Sequence, residues 1–330
     1  MRLIKVAIFG LDDQPGLRQD SNARPPDFTS RLRTTLAAIV TASALLLGFT
    51  AEQSMSVFAR QNLVAWCIIP FDARHRSPLE RAQMLKRLGI QRLAIDWRSK
   101  DVPRFDDEIR TLQENKITIQ AFWLRGDMYP EKKAPSSEDG DLELVLATLR
   151  RNHVKTQIWD PFDANEEFMA LPEVERLRRA TEAVRYVAAQ AKEIGCSVAI
   201  YAHGGWMGEP ETELKIVEQV GMDNVGIVYD YEHARPQMDR FPEFFPKLVP
   251  HLWGVILNGM QQGGPDFITV GEGDRDLGML KVIRDSGYRG PIGIMNHDEN
   301  RDAEVGLRLN MEGLKKMLRQ MDDQAALQTY

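Results

Sequence analysis

The sequence predicts an α/β protein built on a TIM (β/α)8 barrel, preceded by an N-terminal signal or anchor segment. After Asn62, short β-branched or aromatic runs alternate eight times with longer runs of helical period. The short runs are mostly continuously apolar, which is typical of parallel strands covered on both faces. Eight such pairs over about 270 residues match this barrel in number, order and size. An open doubly wound sheet is the competing architecture, but no G-x-G-x-x-G motif follows the first strand.

The eight predicted strands are short and apolar. In chain order they are residues 63–69, 91–96, 117–124, 154–160, 197–203, 225–230, 252–258 and 291–296. Between the first two, Ser77-Pro78-Leu79-Glu80 forms a capping box with proline at the first helical position. Gly89 is placed to end that helix. The segment Gly271-Glu272-Gly273-Asp274 lacks the context of a phosphate loop, so we interpret it as a turn that opens the seventh helix.

Two long helices are predicted from their apolar stripes. The longest starts at Pro172 and stops at Gly195, and the last runs from Asp302 to about Met321. The stripe residues are Val174, Leu177, Thr181, Val184, Ala188, Ala191 and Ile194 in the first, and Leu307, Met311, Leu314 and Leu318 in the second. Residues 138–152 and 241–249 are weaker helix predictions, because one opens with a polar loop and the other contains prolines.

The composition excludes several classes of protein. Of the 330 residues 43% are apolar and 27% are charged, an ordinary globular mixture that disfavours a disordered or polytopic membrane chain. The net charge of −6 argues against a nucleic-acid-binding protein, which usually carries a basic excess. The two cysteines, Cys67 and Cys196, exclude a disulfide framework and a four-cysteine zinc site, and we expect buried free thiols.

The N-terminal segment is interpreted as an extension, residues 1–59, that precedes a barrel domain at 60–330. Arg31 and Arg33 precede an uncharged apolar run at 34–51, and small residues follow, which is the pattern of a secretory signal. The protein is therefore expected to be exported, to the periplasm or outside the cell. An uncleaved membrane anchor and a buried helix remain open, although the run is shorter than the ~20 residues of a comfortable membrane span.

Two details of the signal are left open by the sequence. Cleavage could end at Thr50 or at Ala59, since small residues suit both positions. Signals begin near the true N-terminus, so residues 1–27 fit this interpretation poorly. Our hypothesis is that translation begins just before Arg31.

The C-terminal ends of the strands hold the candidate site residues, because working residues of TIM barrels lie there and in the following loops. The candidate catalytic residues are His203, His233, His297 and Glu209, and the candidate substrate-binding residues are Trp66, Asp96, Trp123, Trp206 and Asn258. Tryptophan faces beside hydrogen-bonding groups suit a sugar, whose C–H faces stack while its hydroxyls bond. For each tryptophan, ordinary packing at the rim is the alternative interpretation.

Asp230 and the histidines are the strongest candidates. Asp230 ends an apolar strand, where a carboxylate is costly unless it is paired or binds a metal. Imidazole titrates near neutrality, so His203, His233 or His297 could serve as a general base. The competing interpretations are that His203 caps its strand, that His233 caps a loop, and that His297 lies in a helix N-cap region.

Two segments resemble the xylose-isomerase-like TIM barrels, the sugar isomerases and epimerases grouped with endonuclease IV. Val225-Gly-Ile-Val-Tyr-Asp230, with its Asp-x-x-His, is similar to their sixth-strand motif. Residues 271–294 look like their passage into the eighth strand. The resemblance covers about 62–318 and implies this barrel and a sugar isomerase or epimerase activity.

The resemblance also implies a divalent metal, held by Glu, Asp, His and Glu at the ends of the last four strands. Asp230 matches the aspartate, and His233 matches a histidine that contacts substrate. His203, Asn258 and Asn296-His297 stand where the first Glu, the metal His and the last Glu are expected. His203, Asp230, Asn258 and His297 are therefore a candidate N/O site for Mn²⁺, Zn²⁺ or Mg²⁺, and the departures leave the metal open.

These observations predict an exported enzyme that acts on a sugar or sugar derivative by proton transfer at a carbon next to a carbonyl. A lyase or hydrolase acting on oxidised (3-keto) glycosides and a degenerate carbohydrate-binding barrel are the alternatives. The expected partner is a small carbohydrate. Neither nucleic acid nor membrane is expected, except through the signal segment, and a homo-oligomer remains open.

Overall fold

Eight parallel strands form a closed barrel, and each strand pairs with its neighbours in chain order. The structure of the protein is a computed structural model, which describes residues 55–132 and 140–330. The strands are β1 (Leu63–Trp66), β2 (Arg92–Asp96), β3 (Thr118–Trp123), β4 (Gln157–Asp160), β5 (Ser197–Tyr201), β6 (Val225–Asp230), β7 (Leu252–Leu257) and β8 (Ile292–Met295). All eight predicted strands are present, and the predicted TIM barrel is confirmed.

The barrel closes where the first strand pairs with the last. The register runs from Leu63 opposite Ile292 to Trp66 opposite Met295. On its other side, β1 has one register pair with β2, Ala65 opposite Leu93. Because all eight strands run parallel, their C-terminal ends and the loops after them lie on one rim of the barrel.

Helices cover the outside of the barrel, and their boundaries follow the end signals in the sequence. They are α1 (Pro78–Leu88), α2 (Phe105–Glu114), α3 (Leu142–Arg151), α4 (Glu166–Met169), α5 (Glu173–Glu193), α6 (Pro210–Val220), α7 (Phe241–Leu248), α8 (Asp276–Asp285), α9 (Ala303–Gln320) and α10 (Gln324–Leu327). The capping box at the start of α1 is present, with the Ser77 amide donating to Glu80 at 2.9 Å. Gly89 ends α1 in the left-handed conformation, with φ of 69°.

Two predictions of local structure need correction. The first strand ends at Trp66 rather than at residue 69, because Cys67 has a φ of 56°, which a strand cannot continue. In α5, the prediction that Val174 belongs to the buried stripe is wrong, since Val174 is 83% exposed. The fully buried side chains of α5 begin only at Ala180, and Leu177 of the predicted stripe is partly buried against the core. The stripe of α9 is buried as predicted.

Residues 55–62 pack against the C-terminal end of the chain. Phe58 is fully buried, and its carbonyl accepts a hydrogen bond from the Tyr330 hydroxyl at 2.9 Å. The hydroxyl of Ser56 donates to Asp323 at 2.6 Å. Residues 55–59 therefore lie against the barrel, although the sequence assigned them to the N-terminal extension.

The long loop between β7 and α8 is held by one carboxylate. Asp276 accepts backbone hydrogen bonds from Met260 and Gly271 at 2.6 Å and from Gly273 at 3.1 Å. Burial raises the pKa of Asp276 to about 6, although these three bonds act in the opposite direction. The loop also packs closely against α9, where a methyl group at Gly313 would overlap the carbonyl oxygen of Val270. As predicted, residues 271–274 form a turn before α8 rather than a phosphate loop.

Several predictions concern residues outside the described part of the chain. The apolar core of the signal at 34–51 and the start-codon hypothesis for 1–27 both lie there. Among the residues that the structure does describe, no helix combines the length and the apolar character that a membrane crossing requires.

Removal of residues 55–59 is expected to destabilise the barrel. A chain that starts at Arg60 loses the buried Phe58 side chain, and loss of a buried phenylalanine costs about 3–5 kcal/mol. A chain that starts at Met55 keeps these contacts and is the matched control. Urea unfolding of both measures the free energy of unfolding, and equal values would contradict the packing described above.

Candidate active site

A cavity of about 280 Å³ opens at the C-terminal rim, in the middle of the barrel. We call it the central cavity. Its lining includes five of the residues predicted for the site: Trp66, Trp123, His203, His233 and His297. Asp230, predicted as a metal ligand, lines it as well. The fold thus brings together side chains from β1, β3, β5, β6 and β8, since all of these strands end at this rim.

The floor of the central cavity is aromatic and holds a buried hydrogen-bonded chain. The indole N–H of Trp66 donates to the hydroxyl of Tyr201 at 2.9 Å, and that hydroxyl donates to Oδ2 of Asp230. Oδ1 of Asp230 accepts the backbone N–H of Glu232 at 2.9 Å. Burial raises the pKa of Asp230, although His233 and Tyr201 act in the opposite direction. Both of its oxygens are therefore engaged within the protein.

Two imidazoles stand side by side above this floor, and each is paired with a carboxylate. The ring centroids of His203 and His233 are 4.2 Å apart. Nδ1 of His203 lies 3.4 Å from Asp163, and Nε2 of His233 lies 2.7 Å from Glu232. Burial lowers the pKa of His233, but the hydrogen bond to Glu232 and the charge of Asp230 outweigh it, so the net pKa is raised. His233 thus tends to hold its proton.

His297 occupies the β8 side of the same cavity between two phenylalanines. Its ring stacks on Phe267, with the ring centroids 4.1 Å apart and an interplanar angle of 12°. The ring centroid of Phe71 lies 3.9 Å from that of His297. Burial between these apolar rings lowers the pKa of His297. This imidazole therefore tends to be neutral, which is the form that accepts a proton.

Two arginines line the central cavity: Arg125, which is paired with Asp163 at 2.9 Å, and Arg98. The guanidinium of Arg98 lies 5.5 Å from the ring centroid of Trp123 and 5.8 Å from that of Phe71. Its charge is balanced by Asp96, whose carboxylate lies 3.3 Å away. Burial raises the pKa of Asp96 to about 7, against the opposing charge of Arg98. Asp96 therefore influences the charge of the cavity only through its contact with the Arg98 guanidinium.

Four predicted site residues lie outside the central cavity. Glu209 is the N-cap residue of α6, and Trp206 packs against Phe168 with ring centroids 5.5 Å apart. Asp96 is buried behind Arg98. Asn258 lines a neighbouring cavity, and its amide donates to the carbonyl of Asp266 at 2.8 Å. None of these four side chains therefore lines the central cavity.

The residues at the family's metal positions do not form a complete metal site among the described residues. Both oxygens of Asp230 accept hydrogen bonds within the protein. The amide nitrogen of Asn296 donates to the carbonyls of Phe71 at 2.6 Å and Asp298 at 3.1 Å, while its buried Oδ1 has no hydrogen-bond partner among the described residues. Asn258 is committed in the same way to its own loop. Within residues 55–132 and 140–330, no three His, Cys, Asp or Glu side chains are arranged to hold a metal ion. Of the four candidate ligands, His203, Asp230 and His297 therefore share a cavity without forming a ligand cluster, and Asn258 lies outside that cavity.

Sequence reasoning missed four residues that shape the site. Tyr201 lies within the predicted fifth strand, and alternation along a strand would have placed it on the same face as Ala199. Glu232 lies within the Asp-x-x-His motif, directly before His233, so the sequence placed its carboxylate near this histidine. Asp163 and Phe267 belong to loops, and no sequence pattern indicates which side chain they would contact. Cys67 and Cys196 are buried free thiols, as predicted.

Residues 156–317 match the sequence profile described as xylose isomerase-like TIM barrel. This segment, just under half of the chain, is similar to that family. It contains β4 to β8, and with them His203, Asp230, His233 and His297. The resemblance inferred from the Asp-x-x-His motif is confirmed. No curated protein sequence gave a significant match to the chain.

Solved structures with the xylose isomerase-like fold superpose on most of the chain. 3-Keto-D-glucoside 4-epimerase from E. coli is 14% identical with a TM-score of 0.59, covering 78% of this chain and 99% of its own. D-Psicose 3-epimerase with D-tagatose, from Clostridium cellulolyticum H10, is 14% identical with a TM-score of 0.57, covering 78% and 98%. The IolI protein with a bound zinc atom is 14% identical with a TM-score of 0.61, covering 78% and 98%. At these identities, the likeness concerns the fold.

Substitution Tyr201→Phe is expected to lower the free energy of unfolding by about 1–3 kcal/mol, because it leaves the buried Trp66 N–H and Asp230 Oδ2 without their partner. The control is Tyr186→Phe, since Tyr186 is 39% exposed on α5 and should change stability by less than about 0.5 kcal/mol. Urea unfolding compares the two variants. Equal stability of both would contradict the buried chain in the floor of the cavity.

Proposed function

We propose that this protein is a sugar isomerase or epimerase that transfers a proton at a carbon next to a carbonyl. The observation that carries the proposal is the meeting of His203, His233 and His297 in one aromatic-walled cavity at the C-terminal rim. The aromatic walls suit the C–H faces of a sugar ring, and the imidazoles suit proton transfer near neutral pH. The epimerases among the similar folds act on sugars, which supports this substrate class.

The opposite pKa shifts assign two roles. His297, with its lowered pKa, is the base that removes the proton from the carbon, and His233, with its raised pKa, donates a proton to the carbonyl oxygen. The electron pair of the broken C–H bond forms the enediol. Delivery of a proton by His203 to the opposite face of the same carbon, with return of the enediol oxygen's proton to His233, gives an epimer. Transfer of the proton from His297 to the former carbonyl carbon, with the hydroxyl proton of the neighbouring carbon passing to His233 as the new carbonyl forms, gives an isomer.

The floor of the cavity positions these groups. Asp230 lies under His233 and favours its protonated form, and Glu232 fixes its ring through the 2.7 Å contact. His203 packs against His233 and is itself oriented by Asp163. Because His203, Asn258 and Asn296 stand where the family has its first Glu, its metal His and its last Glu, we propose that the reaction is carried by the side chains of the central cavity.

Export is a further part of the proposal, and it rests on the signal pattern at 34–51. The burial of Phe58 supports cleavage before Met55 rather than after Ala59. The stability of the two truncated chains described above tests the choice of cleavage point, and N-terminal sequencing of the natural protein identifies the actual start.

Solvent deuterium exchange tests the proposed reaction. In D₂O, the wild-type protein should introduce deuterium next to the carbonyl of a ketose or of a 3-keto-glucoside, with or without added Mn²⁺, as measured by NMR. Loss of the base in His297→Asn should slow exchange by at least about 100-fold. The control His153→Asn changes an exposed histidine and should keep the wild-type rate. Absence of exchange with every substrate would refute the proposal and favour a carbohydrate-binding barrel.

The pH dependence of kcat/KM should be bell-shaped. Activity needs neutral His297, so it falls on the acid side when this group is protonated, below the usual histidine value of about 6.5. It also needs protonated His233, so it falls on the alkaline side above that value. Glu232→Gln removes a contact that raises the pKa of His233, and the alkaline limb should move to lower pH. An unmoved alkaline limb would contradict the role of His233.

A further inference from the structure

A second cavity of about 390 Å³ adjoins the central cavity on the side of β7 and β8. We call it the side cavity. The two cavities share four lining residues: Phe71, Phe267, Met295 and His297. His297 is thus part of the wall that separates the two cavities.

The lining of the side cavity combines one aromatic face with free carboxylates. Phe267 stacks on His297 with one face and is 40% exposed. Glu272 and Glu299 line the cavity and are exposed, and neither carboxylate has a hydrogen-bond or ion-pair partner within residues 55–132 and 140–330. Hydroxyl groups that donate to a carboxylate form short, strong hydrogen bonds.

The size and charge of the two cavities limit the classes of ligand that they could bind. Pockets for drug-sized ligands measure about 300–1,000 Å³, so the central cavity at 280 Å³ suits one sugar ring, and the pair suits a larger molecule. The arginine in this lining, Arg301, is paired with Asp298 at 3.4 Å, so the carboxylates of Glu272 and Glu299 leave the side cavity negatively charged, which disfavours a phosphate or an acidic group. A neutral ring with hydroxyls on its edge and C–H groups on its face matches this lining best.

From this arrangement we infer that the substrate has two sugar rings. The ring that carries the carbonyl lies in the central cavity, and a second sugar ring stacks on Phe267 and donates hydroxyl hydrogen bonds to Glu272 and Glu299. The inference rests on the proposed proton-transfer function and specifies its substrate class. The glycosidic bond then passes beside His297.

Deuterium exchange with two matched substrates tests this inference. Methyl 3-keto-β-D-glucoside offers only the reacting ring, and 3-keto-cellobiose, with the carbonyl on the non-reducing ring, adds a second glucose. The wild-type protein should have a KM for 3-keto-cellobiose at least about tenfold below that for the methyl glycoside. The double variant Glu272→Ala with Glu299→Ala should abolish this advantage, since hydrogen bonds to charged groups are worth such a factor or more. Its KM for the methyl glycoside should stay unchanged.

The matched control removes two exposed carboxylates elsewhere. Glu193→Ala with Glu218→Ala makes the same change in net charge on α5 and α6 and should keep the preference for the disaccharide. Phe267 is not used as the diagnostic position, because its contact with His297 would affect both substrates.

Three results would overturn the inference. Equal KM values for the two substrates in the wild-type protein would mean that the second ring makes no contact. An advantage of 3-keto-cellobiose that survives in the Glu272 and Glu299 double variant would place that ring elsewhere. A stronger preference for 4-nitrophenyl 3-keto-β-D-glucoside that is insensitive to the double variant would assign the side cavity to an aryl group. Absence of exchange with all substrates, by contrast, would refute the proposed function itself.

Discussion

The pairing of β1 with β8 is the constraint on which the site depends. It closes the barrel and sets Trp66 opposite Met295 at the rim. The loops that follow these strands are then joined by Asn296, whose amide donates to the carbonyl of Phe71. Arg76 joins the same two loops, with bonds of 2.7 Å to Asp72 and to Asp302. This double link holds Phe71 against His297, so closure of the sheet also fixes one imidazole of the site.

Buried polar groups give the central cavity its electrostatic character. A carboxylate such as Asp230 is costly to bury, and the hydroxyl of Tyr201 with the amide of Glu232 offsets that cost. The same carboxylate favours the protonated form of His233, while the phenylalanines around His297 favour its neutral form. Two histidines of one cavity are thereby driven toward different protonation states, which supports the proposed division into acid and base.

Much of the fold could be predicted, because parallel strands buried on both faces leave a strong apolar signal. Strand β6 was predicted to the residue, and the capping box of α1 is present as expected. Of the site, the histidines and Asp230 could be predicted because they end strands that the barrel gathers on one rim. Tyr201, Asp163 and Phe267 could not, since their roles depend on contacts across the barrel. Glu209 and Trp206 lie outside the central cavity for the related reason that a position near a strand end does not fix the direction of a side chain.

The sequence by itself determined the alternation of strands and helices, the family motif and the set of strand ends from which chemistry could come. These are properties of local patterns, and residue spacing is sufficient to define them. Only the tertiary structure decided which side chains meet, that no three His, Cys, Asp or Glu side chains of the described residues are arranged as metal ligands, and that a second cavity adjoins His297. Those outcomes depend on loop conformations and on contacts between distant segments, and the free energy of such contacts is set by packing in three dimensions.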